Sequence, residues 1–418
     1  MNRFCSLVVL FMIGSSVVAA DWPQWRGPKL DGSSPAKNVP VKWSVSDAVW
    51  TTPLPGRSGA TPAKFGDKLF VSTPDGADLF LYCLSAKTGE TLWKQKIGSG
   101  NRNLGFNSKN NFATPSPMAD AQFVWILVGS GDMACFTHDG KEVWKRNVTE
   151  AHGRFGQDFG VGSSELLWKD QVIFGCFQRR GDPYILSIDK KTGADAWKVL
   201  RPTDAIGESR DAYSSPIVFV HPDGKEELIV TAGDIATAHS LKDGAELWRH
   251  ADLNLQKRRD YRFIVSPVCS PELVFLCACK GGPIYAVRPG GKGDVTKTDR
   301  RVWTRTKQTP DVPTPAYADG FLYILQNGVL ACVDANTGDE KWSEKVGSGA
   351  YFASPVVADG KVYCVSERGK ATVVKAGPTF EKLGESDLED DVLSTPVPDD
   401  GRIFFRTSKN LICFGTKE

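Results

Sequence analysis

A short signature recurs along this chain: a hydroxyl residue, then proline, then an apolar stretch. It stands at Thr61-Pro62, Thr114-Pro115, Ser215-Pro216, Ser266-Pro267, Thr314-Pro315, Ser354-Pro355 and Thr395-Pro396. Ser163-Ser164-Glu165 fills the remaining slot with Glu in place of Pro. Successive intervals are 53, 50, 51, 51, 48, 40 and 41 residues. Units of about 40–50 residues have the spacing of propeller blades, which bury their apolar faces only by stacking on neighbours.

A second signature falls inside the units. A turn glycine is followed four residues later by tryptophan: Gly89 and Trp93, Gly140 and Trp144, Gly193 and Trp197, Gly244 and Trp248, Gly338 and Trp342. Turn formers precede each glycine, which supplies the positive φ that such turns need. Four residues past the turn, on a strand period of two, every Trp faces the same way. An outer strand that repeats this side chain clamps one blade to the next. The fifth unit offers Trp303 after a Gly-rich insertion at 289–299, and in the seventh Phe380 is the best stand-in for Trp.

Between the two signatures lie two apolar, β-branched and aromatic runs, and Asp-Gly pairs at 223–224, 319–320, 359–360 and 400–401 mark hairpins. Helical periodicity is absent. The expectation is all-β: an eight-bladed β-propeller with four antiparallel strands per blade. The eighth unit runs out before its outer strand, while an orphan strand with its own Trp50 sits at 48–54. That N-terminal strand is expected to complete the last blade, which protects sheet edges that would otherwise pair with other chains.

Of 418 residues, 51 are basic and 49 acidic, a net charge of +2. This balance argues against nucleic-acid binding, which needs a basic excess to displace counterions. Residues 1–20 read as a signal peptide: Arg3, an apolar run from Leu7 to Ile13, and Val18-Ala19-Ala20 before Asp21. The apolar run is short for a membrane anchor. The expected organisation is a signal peptide at 1–20 cleaved near Ala20, an N-terminal arm at 21–47 and one propeller at 48–418, exported to the periplasm or beyond as a monomer without a membrane span. Nine cysteines remain after cleavage, an odd number. Cys83, Cys135, Cys332 and Cys413 recur in one local context, as small buried residues on equivalent strands too far apart to bridge. The five histidines form no HxxxH and there is no CxxC, so no metal site is expected.

The segments CLSAKTGETLW at 83–93, IDKKTGADAW at 188–197 and VDANTGDEKW at 333–342 resemble the pyrroloquinoline-quinone (PQQ)-type β-propeller repeat with its tryptophan-docking motif. The resemblance covers residues 48–415, and DWPQWRGP at 21–28 is similar to the N-terminal arm of secreted bacterial proteins with these repeats. It implies Trp50, Trp93, Trp144, Trp197, Trp248, Trp303 and Trp342 as docking residues. The family includes quinoprotein dehydrogenases, which bind the quinone and Ca²⁺, and the propeller lipoprotein of outer-membrane protein assembly. The enzymes carry two adjacent cysteines under the cofactor, a Ca²⁺ site and a catalytic Asp. No Cys-Cys pair exists here, so no catalytic or cofactor-binding residue carries over, and the lipid-accepting cysteine of the assembly protein is missing too.

The resulting expectation is a non-catalytic binding or assembly scaffold without a cofactor, whose partner is an envelope or secreted protein or a polar small molecule. The alternative is a PQQ- and Ca-dependent alcohol or sugar dehydrogenase. Any site belongs at the channel mouth, on the segments that lead into each innermost strand. These hold Arg57, Asn111, Gln157, Asp158, Arg210, Asp211, Tyr213, Arg258, Arg259, Arg262, Asp311, Tyr351, Asp390 and Asp391, with Glu165 facing inward where Pro is usual. The opposing reading of these charges is ordinary solvated loops paired across neighbouring blades.

Overall fold

The computed structural model describes residues 20–104 and 109–416. Residues 1–19 of the segment expected to be a signal peptide therefore lie outside the described residues. Eight antiparallel sheets follow one another around a ring, at 63–99, 118–147, 166–200, 217–250, 268–305, 316–345, 356–387 and 397–415. Each contributes three or four consecutive strands, innermost to outermost. The eighth sheet receives its outermost strand, Trp50–Pro53, from the N-terminal side, with Trp50 opposite Cys413 and Pro53 opposite Asn410. The fold is an eight-bladed β-propeller with four strands per blade and one shared blade that joins the two ends of the chain.

At the rim, the Gly-Trp spacing finds its physical cause. The indole N–H of Trp50, Trp93, Trp144, Trp197, Trp303 and Trp342 donates to a carbonyl of the following blade at 2.9–3.1 Å. Five of these rings lie on the next blade's turn glycine. A Cβ on Gly89, Gly140, Gly193, Gly244 or Gly338 would come within 2.5–2.9 Å of the indole, and all five have φ between 73° and 83°. Glycine is needed there twice over, for the turn and for the close approach. The residue paired with each Trp on the adjoining strand is small: Cys413, Cys83, Cys135, Ser187, Ala238, Ala286 and Cys332. This explains the recurring cysteines, and all nine described cysteines are unpaired.

Two blades depart from the rule. Trp248 is fully buried and donates to Glu227 Oε2 of its own blade at 2.7 Å. The Gly-rich insertion of the fifth unit causes this, for Gly293–Asp294 adds a parallel strand against Trp248 and Arg249, and Gly290 N donates to the same carboxylate. In the seventh blade, the position in register with the docking Trp is Gly384, opposite Val373. Phe380 is not the stand-in expected from sequence: it packs edge-on against Trp342 of the preceding blade, at 5.2 Å. Trp43 of the N-terminal arm takes the missing place. The arm passes over Gly384, where a Cβ would meet Val41 O at 2.1 Å. Trp43 N donates to Ser386 Oγ of the seventh blade, and its ring packs on Phe405 and Phe414 of the eighth at 5.2 and 5.5 Å.

Candidate functional site

The hydroxyls of the first signature meet at the axis. The backbone N–H of each donates to the hydroxyl of the next blade, Thr61 to Ser116, then Ser164, Ser215, Ser266, Thr314, Ser354, Thr395 and back to Thr61, at 2.8–3.2 Å. The circle closes without a gap. It also corrects the second unit, whose signature residue is Ser116, before Pro117, and not Thr114. Thr114 accepts from Asn111 N inside its own loop.

Three residues past the hydroxyls, about 10 Å along the strands, the arm fills the channel. Trp22 pairs with Lys64, Pro23 O accepts from Ala119 N, Asp31 O from Tyr317 N and Gly32 O from Val357 N. The Gln24 amide imitates a strand, donating to Leu167 O and accepting from Leu167 N. Arg26 is buried, with its guanidinium donating to the carbonyls of Pro315, Pro355 and Asp31 at 2.6, 3.1 and 3.3 Å. Burial pulls its pKa down to about 10, against the pull of nearby Asp31.

The result is a blind funnel of about 490 Å³. Seven of the eight ring hydroxyl residues line it, with Trp25 of the arm, Phe159, Tyr213, Phe352, Ile264, Val312 and Leu393, and with Lys109, Glu208 and Arg262 as its charged groups. Arg262 is bonded to Glu208 at 2.6 Å and lies over Phe159, and Lys109 pairs with Glu367.

Of the residues singled out from sequence, Tyr213 and Arg262 line this funnel. The Tyr213 hydroxyl accepts from Phe159 N at 3.3 Å. The other candidates stand back from it and hold the loops. Asn111 donates to Arg57 O at 2.7 Å, and Arg57 faces Glu367 and Asp391. Asp211 is buried, accepting from Asp158 N and Arg179 N, and Asp158 pairs with Arg179 and Arg180. Asp311 accepts from Lys280 N, Asp390 from Lys409 N, and Asp391 pairs with Arg368. Tyr351 is buried in the core beneath its loop, and its neighbour Phe352 reaches the funnel instead. Arg210 lines a separate small cavity of about 100 Å³ beside Arg201.

Glu165 does not face the channel. It is wedged between the second and third blades beside the backbone of Leu127, and neither carboxyl oxygen completes a hydrogen bond. Burial raises its pKa to about 8, against the opposing pull of the backbone amides of Glu165 and Leu127. Sequence reasoning passed over the ring itself, although its hydroxyls were in view as half of a repeat, and over Trp25, whose arm carries no repeat signal. Among the described residues no three His, Cys, Asp or Glu side chains gather to hold a metal ion, and no helix is long and apolar enough to cross a membrane.

Comparison with known proteins places these features in a family. A chain of Acidithiobacillus ferrooxidans named tetrathionate hydrolase is 23% identical, over 83% of this chain and 80% of that one. Outer membrane protein assembly factor BamB of Yersinia pestis is 22% identical, over 70% of this chain and 79% of its own. Quinohemoprotein alcohol dehydrogenase from Comamonas testosteroni superposes with a TM-score of 0.72 at 12% identity, covering 95% of this chain and 81% of that one, a likeness of fold alone. The family model described as outer membrane protein assembly factor BamB matches residues 81–291 and 280–377. With well over half of its length matched, the chain belongs to this family of PQQ-type repeat propellers.

Proposed function

We propose that this protein is an exported, non-catalytic binding propeller that holds a small ligand in the blind mouth of its channel. The observation that carries this reading is the funnel itself, closed below by the chain's own arm and walled by aromatic rings. Its volume suits a small molecule. The charged side chains on the wall are already paired, Lys109 with Glu367 and Arg262 with Glu208, so they are held as orienting groups. The relative named tetrathionate hydrolase supports a small-molecule occupant, and the relative named BamB supports an envelope protein that presents the ligand-binding ring to a partner.

The quinone alternative asks for a Ca²⁺ site of six to eight oxygen ligands. The acidic group lining the funnel, Glu208, is spent on Arg262, and no carboxylate cluster stands near it among the described residues. This donor set is a poor fit for a calcium-bound quinone.

Gly59 provides the test. A Cβ there meets only Thr114 Cγ2 at 3.5 Å and Leu393 Cβ at 3.8 Å, so Gly59→Phe fills the funnel with little strain. In a thermal-shift screen of small molecules, ligands that stabilise the wild type should lose their effect on Gly59→Phe. Shifts that persist in that variant would remove the funnel as the site. A parallel arm adds PQQ with Ca²⁺, and visible quinone absorbance with dye-linked oxidation of an alcohol or sugar would replace this reading by the enzymatic one.

A further inference from the structure

The ring hydroxyls carry donors that the protein does not use. A hydroxyl offers one proton and two lone pairs. Each of the eight accepts its neighbour's amide, yet among the described residues none donates to any protein acceptor. Hydroxyls close by behave otherwise: Ser58, Ser214 and Ser394 donate to the carbonyls of Ala113, Thr231 and Arg406. All eight ring residues are at most 6% exposed, and a buried donor without an acceptor is costly. The ring therefore presents unspent O–H groups to one axis.

Cationic side chains stand on both sides of that axis, and above it they outnumber the carboxylates that pair with them. Below, the Arg26 guanidinium donates to three carbonyls, lies over the Trp25 ring and is balanced by the neighbouring Asp31 carboxylate. Above, three cations, Arg57, Lys109 and Arg368, share two carboxylates, Glu367 and Asp391. Between the two layers the wall is aromatic: Trp25, Phe159, Tyr213 and Phe352.

We infer that the hydroxyl ring is an oxyanion seat, and that the funnel takes a small organic acid. Its carboxylate or sulfonate head rests on the ring, and its apolar body lies against Phe159, Tyr213 and Phe352. Charge-assisted hydrogen bonds from several O–H donors to one head are stronger than those to a neutral acceptor. Acidic solutes are thereby preferred to neutral ones of equal shape. This assignment rests on the funnel being the binding site.

The test is isothermal titration of the full mature chain with 2-naphthoate and with 2-naphthamide, its uncharged counterpart. The expected result is about tenfold tighter binding of the naphthoate, abolished in Gly59→Phe, weakened in Thr314→Val and restored in Thr314→Ser. Equal binding of the two probes, lost in Gly59→Phe, overturns the oxyanion seat and leaves the funnel reading standing. Binding that ignores Gly59→Phe overturns both. Failure of both probes to bind overturns the oxyanion seat, while the small-molecule screen separately decides the funnel. Should Thr314→Val fail to fold, the probe pair and Gly59→Phe still separate these outcomes.

Discussion

The rim and the axis of this ring close the same circle by different means. At the rim, an indole donates across the blade gap, and two of the eight junctions find another solution: Trp248 turns inward to Glu227, and Trp43 of the arm replaces a side chain that the seventh blade lacks. At the axis, all eight junctions use one bond from a backbone amide to a hydroxyl of the next blade. Blades splay outward, so the rim has room for insertions and for a passing segment. Inward they converge until backbones nearly touch, and a single short polar side chain fits. The lesson is that the rim accommodates different clamps where the axis keeps one bond throughout.

Removing residues 21–54 attacks both regions at once, stripping the plug, Trp43 and the eighth blade's outer strand. The expected loss is well over about 5 kcal/mol, seen as a collapse of the thermal transition. An unchanged melting temperature would refute closure by the N-terminal segment.

Next in size, Trp43→Ala should cost about 3–5 kcal/mol in denaturant unfolding, by loss of a large buried ring. Phe380→Ala, half-buried on the preceding junction, should cost less than half of that. The reverse order would restore Phe380 as the clamp of the seventh blade.

At the axis, Thr395→Val leaves Ser354 N without its acceptor and should destabilise by about 1–3 kcal/mol. Thr395→Ser should cost little. If valine is as stable as serine there, the ring contributes nothing to closure.

Glu165 breaks the Ser/Thr-Pro pattern beside the ring, and pH exposes the consequence. Folding raises its pKa from the ordinary 4.5 to about 8, so the folded state keeps a proton that the unfolded chain releases. Its contribution is complete below pH 4.5 and is lost as pH rises toward 8. His239 and His250, lowered by burial to about 4, oppose it only below their ordinary 6.5, where stability falls as pH falls. From pH 6.5 to 8 the glutamate acts without them, and stability should decline by about 2 kcal/mol. Glu165→Gln should flatten that decline, and a slope that survives the substitution would assign it to other groups.

The smallest effect is expected at Trp248→Phe, about 1 kcal/mol, because Glu227 retains Lys225 at 3.1 Å and Gly290 N. A loss as large as that of Trp93→Phe would mean that the inward turn is no real exception.

Much of this fold is legible in the chain. The Gly-Trp offset follows from local turn geometry and strand period, and four of the five tryptophans it marks dock on the following blade. Asn111, Asp158, Asp211 and Asp390 were visible as loop polars, but only contacts show that they tie neighbouring loops and hairpins together. Trp25, Phe159 and Phe352 carried no signal, because their segments have neither repeat nor periodicity.

By itself, then, the amino-acid order determined the number of blades, the strand pattern and the clamp that most of them share, since these depend on short-range spacing. Three matters were decided in three dimensions: which hydroxyl of Thr114-Pro115-Ser116-Pro117 joins the ring, where the arm runs, and that hydroxyls from separate blades enclose one cavity. Each depends on residues brought together only when a circle of 334 positions closes on itself, and no local rule of sequence reaches that far.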